Sequence, residues 1–376
     1  MTSSADSSPL KQPPHVDVEV DSQDYKDALL EILAVIRPKW KKDAVRFKPL
    51  AQGMINLMLT CYVSEEVDET AVVARIFATN FAGVTMSREN EFGCTKCFAE
   101  LGIGPEVYCT FKNGICSAYV SGSFFTWEDI SAFRDIKVGK LVAKEFAKIH
   151  CDATLKMSSK YNIGKGMDAN EMIGLMLEAW PIPIANPELH EKFYKDMYTA
   201  DEFRRETALF AGDVQGGFEG IKDTLCHNDP NATNFIYQED QGRTVLIDYE
   251  MSGLGSPIRD LGTYICMSAL SIKDGDVDLK KHSPEYVRTF ARTYLEELKK
   301  LNGDNSPVTD QLVEKYNILI ERSILVFFLF TAIFIPQFVG SSDKVDPNTM
   351  IEVTLGRLDW YKKNKDRILK QEIPRD

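Results

Sequence analysis

The chain predicts an α+β protein in two lobes, a small β-rich N-lobe followed by a larger, mostly helical C-lobe. Three observations carry that reading. Residues 47–120 hold short runs of alternating or β-branched apolar residues, with an Asn113-Gly114 turn between two of them. Beyond Ser121-Gly122 the apolar spacing changes to that of helices. At 376 residues, 44% apolar and 27% charged, the chain is an ordinary globular sequence long enough to divide in two. The division places a disordered polar tail at residues 1–22, the N-lobe at 23–120 and the C-lobe at 121–376.

Each element has a local reason. From Tyr25 to Ile36, Ala28, Leu29, Ile32, Leu33, Val35 and Ile36 fall at helical spacing, and Pro38 stops the run. Phe47 to Val63 and Ala71 to Phe77 read as strands. Met86 to Leu101 reads as a helix closed by Gly102 and Gly104-Pro105. Val107 to Phe111 and Ile115 to Val120 form a hairpin, and a short hinge follows near Tyr119 to Gly122. Val138 to His150 is expected to be helical, with Val138, Leu141, Val142, Phe146 and Ile149 on its buried side. Met167 to Leu177, Pro187 to Leu209, Pro284 to Leu301, Thr309 to Phe334 and Asn348 to Lys370 are further helices.

Chemistry concentrates in the middle of the chain: Cys226-His227-Asn228-Asp229, then Asn234, then Ile247-Asp248-Tyr249-Glu250. Asp240-Gln241-Gly242 reads as the turn of a hairpin, and Val245-Leu246-Ile247 as the strand delivering Asp248 to a cleft. Phosphoryl transfer from ATP needs a carboxylate to deprotonate the acceptor hydroxyl, and an amide with a second carboxylate to hold magnesium. Asp229, Asn234 and Asp248 supply that set at a spacing that turn and cap preferences alone do not explain. A covering lobe also needs a glycine-containing turn, a cation for the phosphates and a carboxylate to hold that cation. Gly53 and Asn56 in Gln52-Gly53-Met54-Ile55-Asn56 supply the turn, and Arg75 with Glu91 the cation and its partner. An edge-strand charge facing water is the competing reading of Arg75.

Composition excludes other classes. The net charge of -12 argues against a nucleic-acid partner. Met1 to Ser22 has no apolar stretch resembling a signal peptide or membrane anchor. The eight cysteines are scattered, so reduced thiols and a cytoplasmic location are expected. Cys94 and Cys97 lack further zinc ligands nearby and read as helix neighbours. Ser323 to Val339 is nearly as apolar as a membrane span, but a helix buried on all sides gives the same pattern, so no transmembrane segment is expected.

These motifs, with Pro105-Glu106-Val107-Tyr108-Cys109-Thr110-Phe111, Asn113-Gly114, Ala147-Lys148-Ile149-His150 and Asp260-Leu261-Gly262, resemble the choline/ethanolamine kinase family from about Phe47 to Lys370. The resemblance implies the protein-kinase-like fold and MgATP-dependent phosphorylation of choline or ethanolamine. That reaction opens the routes to phosphatidylcholine and phosphatidylethanolamine. It implies Asp229 as base, Asn234 and Asp248 as magnesium ligands, Arg75 and Glu91 as phosphate clamp, and His227 as support for the catalytic loop. Asp260 would pair the loop backbone or cap a helix. A homodimer is implied by the resemblance only.

The departures cluster in the amine pocket, where Glu250, Met251, Met267 and Phe330 are the candidate residues. Where the family typically has an aromatic stands Met251, for a glutamate and an aromatic Met267-Ser268, and for two tryptophans Phe330 and Ile333; in the phosphate turn Ile55 stands for the family's small hydroxyl residue. Each lost cation–π contact removes roughly 0.5–2 kcal/mol, so choline binding weakens by on the order of 2–4 kcal/mol unless Phe327, Phe328, Phe334, Tyr264 or Trp180 compensates. Ethanolamine, a primary ammonium with three donors, depends less on such a cage. The alternatives are a kinase of another small amino alcohol and a nucleotide-binding relative with weakened turnover.

Overall fold

The computed structural model describes residues 13–374 apart from 51–55, 78–86, 126–131, 167–168, 179, 182, 210–219, 272–275, 278–282 and 339–345. Two compact units emerge. The first comprises Met1–Met86 with Thr95–Gly122, the second Ser87–Cys94 with Ser123–Asp376.

The first unit is a six-stranded sheet with a helix against it. Its strands are β1 (His15–Val16), β2 (Arg46–Pro49), β3 (Leu57–Tyr62), β4 (Val72–Ile76), β5 (Val107–Phe111) and β6 (Gly114–Ala118), in the order β1-β5-β6-β4-β3-β2. Helix α1 (Lys26–Ile36) contributes Leu29, Ile32 and Leu33 to a core shared with Leu59, Val72, Ile76 and Phe111. The β5–β6 turn requires its glycine. A Cβ on Gly114 would lie 2.1 Å from the Phe111 ring and 2.2 Å from the Arg75 carbonyl oxygen.

The expected disordered tail at 1–22 is corrected in its second half. Residues 1–12 lie outside the described residues. His15 and Val16 pair in parallel with Thr110 and Phe111, and Val20 is 2% exposed in the sheet core. Asn113 clamps this segment, accepting from the Val20 amide at 2.9 Å and donating to the Val20 carbonyl at 2.8 Å. The alternation Val16, Val18, Val20 in an otherwise polar stretch is a strand signal that outweighs the composition.

Helix α2 (Arg88–Glu100) contains the boundary between the units. The second unit continues with β7 (Ser123–Phe124), α3 (Ile136–His150), α4 (Asp152–Lys160), α5 (Ala169–Glu178), α6 (Pro187–Tyr194) and α7 (Ala200–Leu209). The single helix expected from Pro187 to Leu209 is two. Thr199 starts the second with a reciprocal cap: the Glu202 amide donates to Thr199 Oγ1 at 3.3 Å, and the Thr199 amide to Glu202 Oε2 at 2.8 Å. Strands β8 (Thr224–Cys226), β9 (Phe235–Gln238), β10 (Arg243–Leu246) and β11 (Gly253–Gly255) follow, then α8 (Pro257–Ala269) and the short pair β12 (Leu270–Ser271) and β13 (Asp276–Val277). Helices α9 (Pro284–Leu301), α10 (Asp310–Phe334) and α11 (Pro347–Leu369) complete the unit.

A cluster of rings from Phe133, Phe146, Phe235, Tyr264 and Phe290 packs α3, α8 and α9 around β9. Helix α10 is long and apolar enough to cross a membrane, with mean hydropathy 1.9, yet 72% of its apolar window is buried inside the protein. It packs against α8 and α11, which accounts for its uninterrupted apolar sequence.

Candidate active site

Strand β8 pairs with β11, Cys226 opposite Gly253, and releases the chain into a loop that re-enters sheet structure at β9. Asn231 starts a single 3-10 turn by accepting the Thr233 amide at 3.0 Å, and that turn ends at Asn234. Both asparagines then face one carboxylate. Asn231 Nδ2 and Asn234 Nδ2 each donate to Asp229 Oδ2 at 3.0 Å, and Asn234 Nδ2 also reaches the Asp229 carbonyl at 2.9 Å. The Ile247 amide donates to the Asn234 carbonyl at 2.9 Å, tying the end of β10 to the loop beside Asp248.

Asn228 and Asp248 adopt left-handed backbone conformations, φ +67° and +69°. Non-glycine residues there cost energy unless their surroundings fix them. The fixing group at Asn228 is Asp260, which is fully buried. Its two carboxylate oxygens accept the His227 and Asn228 amides, both at 2.7 Å. His150 Nε2 lies 3.1 Å from Asp260 Oδ2, and His150 Nδ1 lies 3.1 Å from the Tyr294 hydroxyl. Burial alone would raise the Asp260 pKa; the hydrogen bond and charge of His150, then His227, outweigh it and hold the group below its ordinary value. Asp260 is the fourth residue of α8, so the helix N-cap reading gives way to the loop-pairing one.

His227 spends both ring nitrogens on the backbone. Nε2 lies 2.8 Å from the Ile247 carbonyl, and Nδ1 receives the Asp229 amide at 3.2 Å. That pattern requires a neutral ring protonated at Nε2. Burial pushes its pKa below the usual value, against the charges of Asp260 and Asp248. Asp229 moves the other way. Burial raises it; Asn231 opposes, the charges of Asp248 and Glu250 add, and the result is about 7. A carboxylate poised there suits a general base at neutral pH.

Beneath the loop two backbones nearly touch. A Cβ on Gly253 would lie 2.4 Å from Gly166 backbone atoms, and one on Gly166 would lie 2.2 Å from Asn228 Nδ2. Asn228 Nδ2 donates to the Met251 carbonyl at 3.0 Å. Asn90 Nδ2 donates to the Ser252 carbonyl at 2.6 Å, and its Oδ1 accepts the Gly164 amide at 2.8 Å. The ligand atoms of His150, Cys226 and Asp260 also lie within 4.8 Å of one another. Each already has a protein partner, since Cys226 Sγ donates to the Gly255 carbonyl at 3.2 Å, so this cluster is a hydrogen-bonded brace.

The remaining candidates fall as follows. Arg75 lies on β4, between β3 and β6, which removes the edge-strand reading. Glu91 is 1% exposed, with Arg88 Nη1 at 2.8 Å. Asn56 is buried, and Gly53 and Ile55 lie outside the described residues. Glu250 is half-buried and acts on Asp229 through its charge. Met267, Ser268 and Ile333 are buried, and the Phe330 ring stacks on Phe334 at 5.2 Å. Two suggested compensating aromatics are core: Tyr264, whose hydroxyl bonds Tyr286, and Phe328, which packs on Trp360. The candidate set drawn from the sequence omitted Asn231 and His150. Asn231 carried a signal, an Asn three residues before a second Asn. His150 pairs with a residue 110 positions away and carried none.

A carboxylate held by two amides, on a loop braced by a helix-borne aspartate and followed by a hairpin that presents a second aspartate, defines a protein-kinase-like phosphotransferase. Solved structures share the fold. A choline kinase of Cryptosporidium parvum superposes with a TM-score of 0.70, covering 93% of this chain and 98% of that one at 16% identity. An ethanolamine kinase of Plasmodium vivax gives 0.68, with 91% and 89% covered at 17% identity. Ethanolamine kinase 1 of Mus musculus is 27% identical over 321 residues, 84% of each chain. Residues 47–343 match the choline/ethanolamine kinase family, and the chain belongs to it.

Proposed function

We propose that the protein transfers the γ-phosphoryl group of ATP to the hydroxyl of ethanolamine, and less readily of choline. The carrying observation is Asp229, held through Oδ2 by Asn231 and Asn234 and poised near neutrality. The hydroxyl proton passes to Asp229 as the acceptor oxygen bonds to the γ-phosphorus; the bond to the β-phosphate bridging oxygen breaks, and ADP departs. Asn231 and Asn234 keep the carboxylate aimed, while His227 and Asp260 position the loop without exchanging protons with substrate.

The oxygen donors of Asn234 and Asp248 suit magnesium, a hard cation that prefers such ligands. Bound there, it neutralises phosphate charge. Gly53, Asn56, Arg75 and Glu91 are assigned to the nucleotide phosphates. Glu250 is assigned to the substrate ammonium, and Met251, Met267 and Phe330 to the same amine pocket. The preference for ethanolamine rests on the depleted aromatic cage and on relatives named ethanolamine kinase. The product would be the precursor of a phospholipid headgroup, made in the cytoplasm.

The test is ADP release from purified protein with MgATP and, separately, ethanolamine, its methylated derivatives, choline and no acceptor, with Asp229→Ala as control. Turnover highest on ethanolamine and abolished by the substitution is expected. MgATP binding without acceptor-dependent ADP would favour a nucleotide-binding relative with lost turnover.

A further inference from the structure

Helix α11 carries an arginine in an unusual setting. Arg357 is 5% exposed, and Nε is fully buried with no hydrogen-bond acceptor among the described residues. The guanidinium carbon lies 5.7 Å from the ring centroid of Phe327 on α10. The titratable group that acts on it is Cys266 of α8, whose thiol burial pushes up to about 12. That thiol is neutral near pH 7 and is no counterion.

Acidic side chains on the flanking helices α10 and α11 pair with other cations. Among the described residues, Glu314, Glu321, Glu352 and Asp359 pair with Arg288, Arg367, Lys192 and Lys363 respectively. Ser268, Thr331 and Thr354 turn their hydroxyls back to carbonyls of their own helices. Arginine stays protonated and offers five donors in a planar fork. Burying its Nε–H with no acceptor among the described residues is costly, and a forked donor beside an aromatic face is complementary to a planar oxyanion.

We propose that Arg357 anchors a buried oxyanion-binding site between α8, α10 and α11, which takes a small ligand bearing a carboxylate or phosphate. The site goes beyond the kinase reading and stands independently of it. Two sources share this chemistry: a carboxylate on the acceptor itself, as in an amino alcohol that is also an amino acid, or a free phosphate acting as effector.

The experiment is thermal unfolding of the full chain, saturated with MgADP so that the nucleotide phosphate site is filled. Sodium acetate or phosphate is titrated against chloride at constant ionic strength. Wild type should show a saturable rise in Tm. Arg357→Gln should shift the midpoint of that rise at least tenfold to higher anion while leaving MgADP affinity within twofold. Arg357→Lys, which keeps charge but loses the fork, should fall between them and serves if the glutamine variant does not fold. No saturable rise in wild type, or equal responses in wild type and either variant, overturns the site.

ADP release separates the sources. Serine turned over with a KM at least tenfold below that of ethanolamine, in an Arg357-dependent manner, places the oxyanion on the acceptor. Ethanolamine turnover that changes with added phosphate in wild type alone assigns a free anion. Anion binding that persists without turnover on any acceptor overturns the kinase reading and leaves the site standing.

Discussion

Replacing Asp260 with asparagine removes one oxygen and one charge from a group that accepts two backbone amides and faces His150. The asparagine oxygen keeps one amide, and its own NH2 confronts the other. A lost charge-assisted bond is worth about 1.5–3 kcal/mol, and a buried donor left unsatisfied about 1–3 kcal/mol more. The expected destabilisation of Asp260→Asn is therefore about 3–5 kcal/mol, read from urea unfolding followed by tryptophan fluorescence at pH 7.5. The freed amide is that of His227 or Asn228, and Asn228 holds φ +67° beside Asp229. Turnover should accordingly fall at least 100-fold, with the KM for MgATP changed less than threefold. The sign of the pH dependence follows from the depressed pKa. The stabilising contribution is full above the ordinary carboxylate value of 3.8 and is lost as pH falls through the folded value, so wild type and variant should converge in acid. A destabilisation under about 1 kcal/mol with turnover within threefold would refute the assignment of Asp260 as the loop brace.

Asp229→Asn should abolish turnover yet stabilise the ligand-free protein. A rise from 3.8 to about 7 corresponds to about 4 kcal/mol, and the half-buried side chain reduces this to about 2 kcal/mol. A raised carboxylate is destabilising above its folded pKa, so the gain should be present at pH 8 and shrink towards pH 4 in chelator-containing unfolding curves. Gly253→Ala forces a Cβ to 2.4 Å from the Gly166 backbone and should lower stability by about 1–3 kcal/mol by the same urea assay, with reduced turnover. Removal of divalent cations with EDTA should stop ADP release, and added magnesium should restore it; Asn234→Ala should raise the magnesium concentration needed at half-maximal rate.

The parts legible in the sequence are those whose signals are local. Asn113-Gly114 marks a hairpin where Phe111 and the Arg75 carbonyl leave no room for a side chain, and Asp229, Asn234 and Asp248 carry fixed spacings across a single hairpin. Caps and alternation were equally local, and the Thr199–Glu202 box and the Val16-Val18-Val20 stripe were there to be read. What could not be read depends on distant approach. The His150–Asp260 brace joins residues 110 apart, and the Gly166–Gly253 contact joins two glycines that look like ordinary turn residues. Buried Arg357 is invisible too, because a basic residue on an amphipathic helix normally faces water.

The most direct measurement is 31P NMR of the reaction of purified protein with MgATP and ethanolamine. The account predicts one phosphomonoester resonance, O-phosphoethanolamine, growing in step with ADP and absent with Asp229→Ala. ADP appearing with free inorganic phosphate and no phosphomonoester, or no change in the ATP resonances, would contradict it.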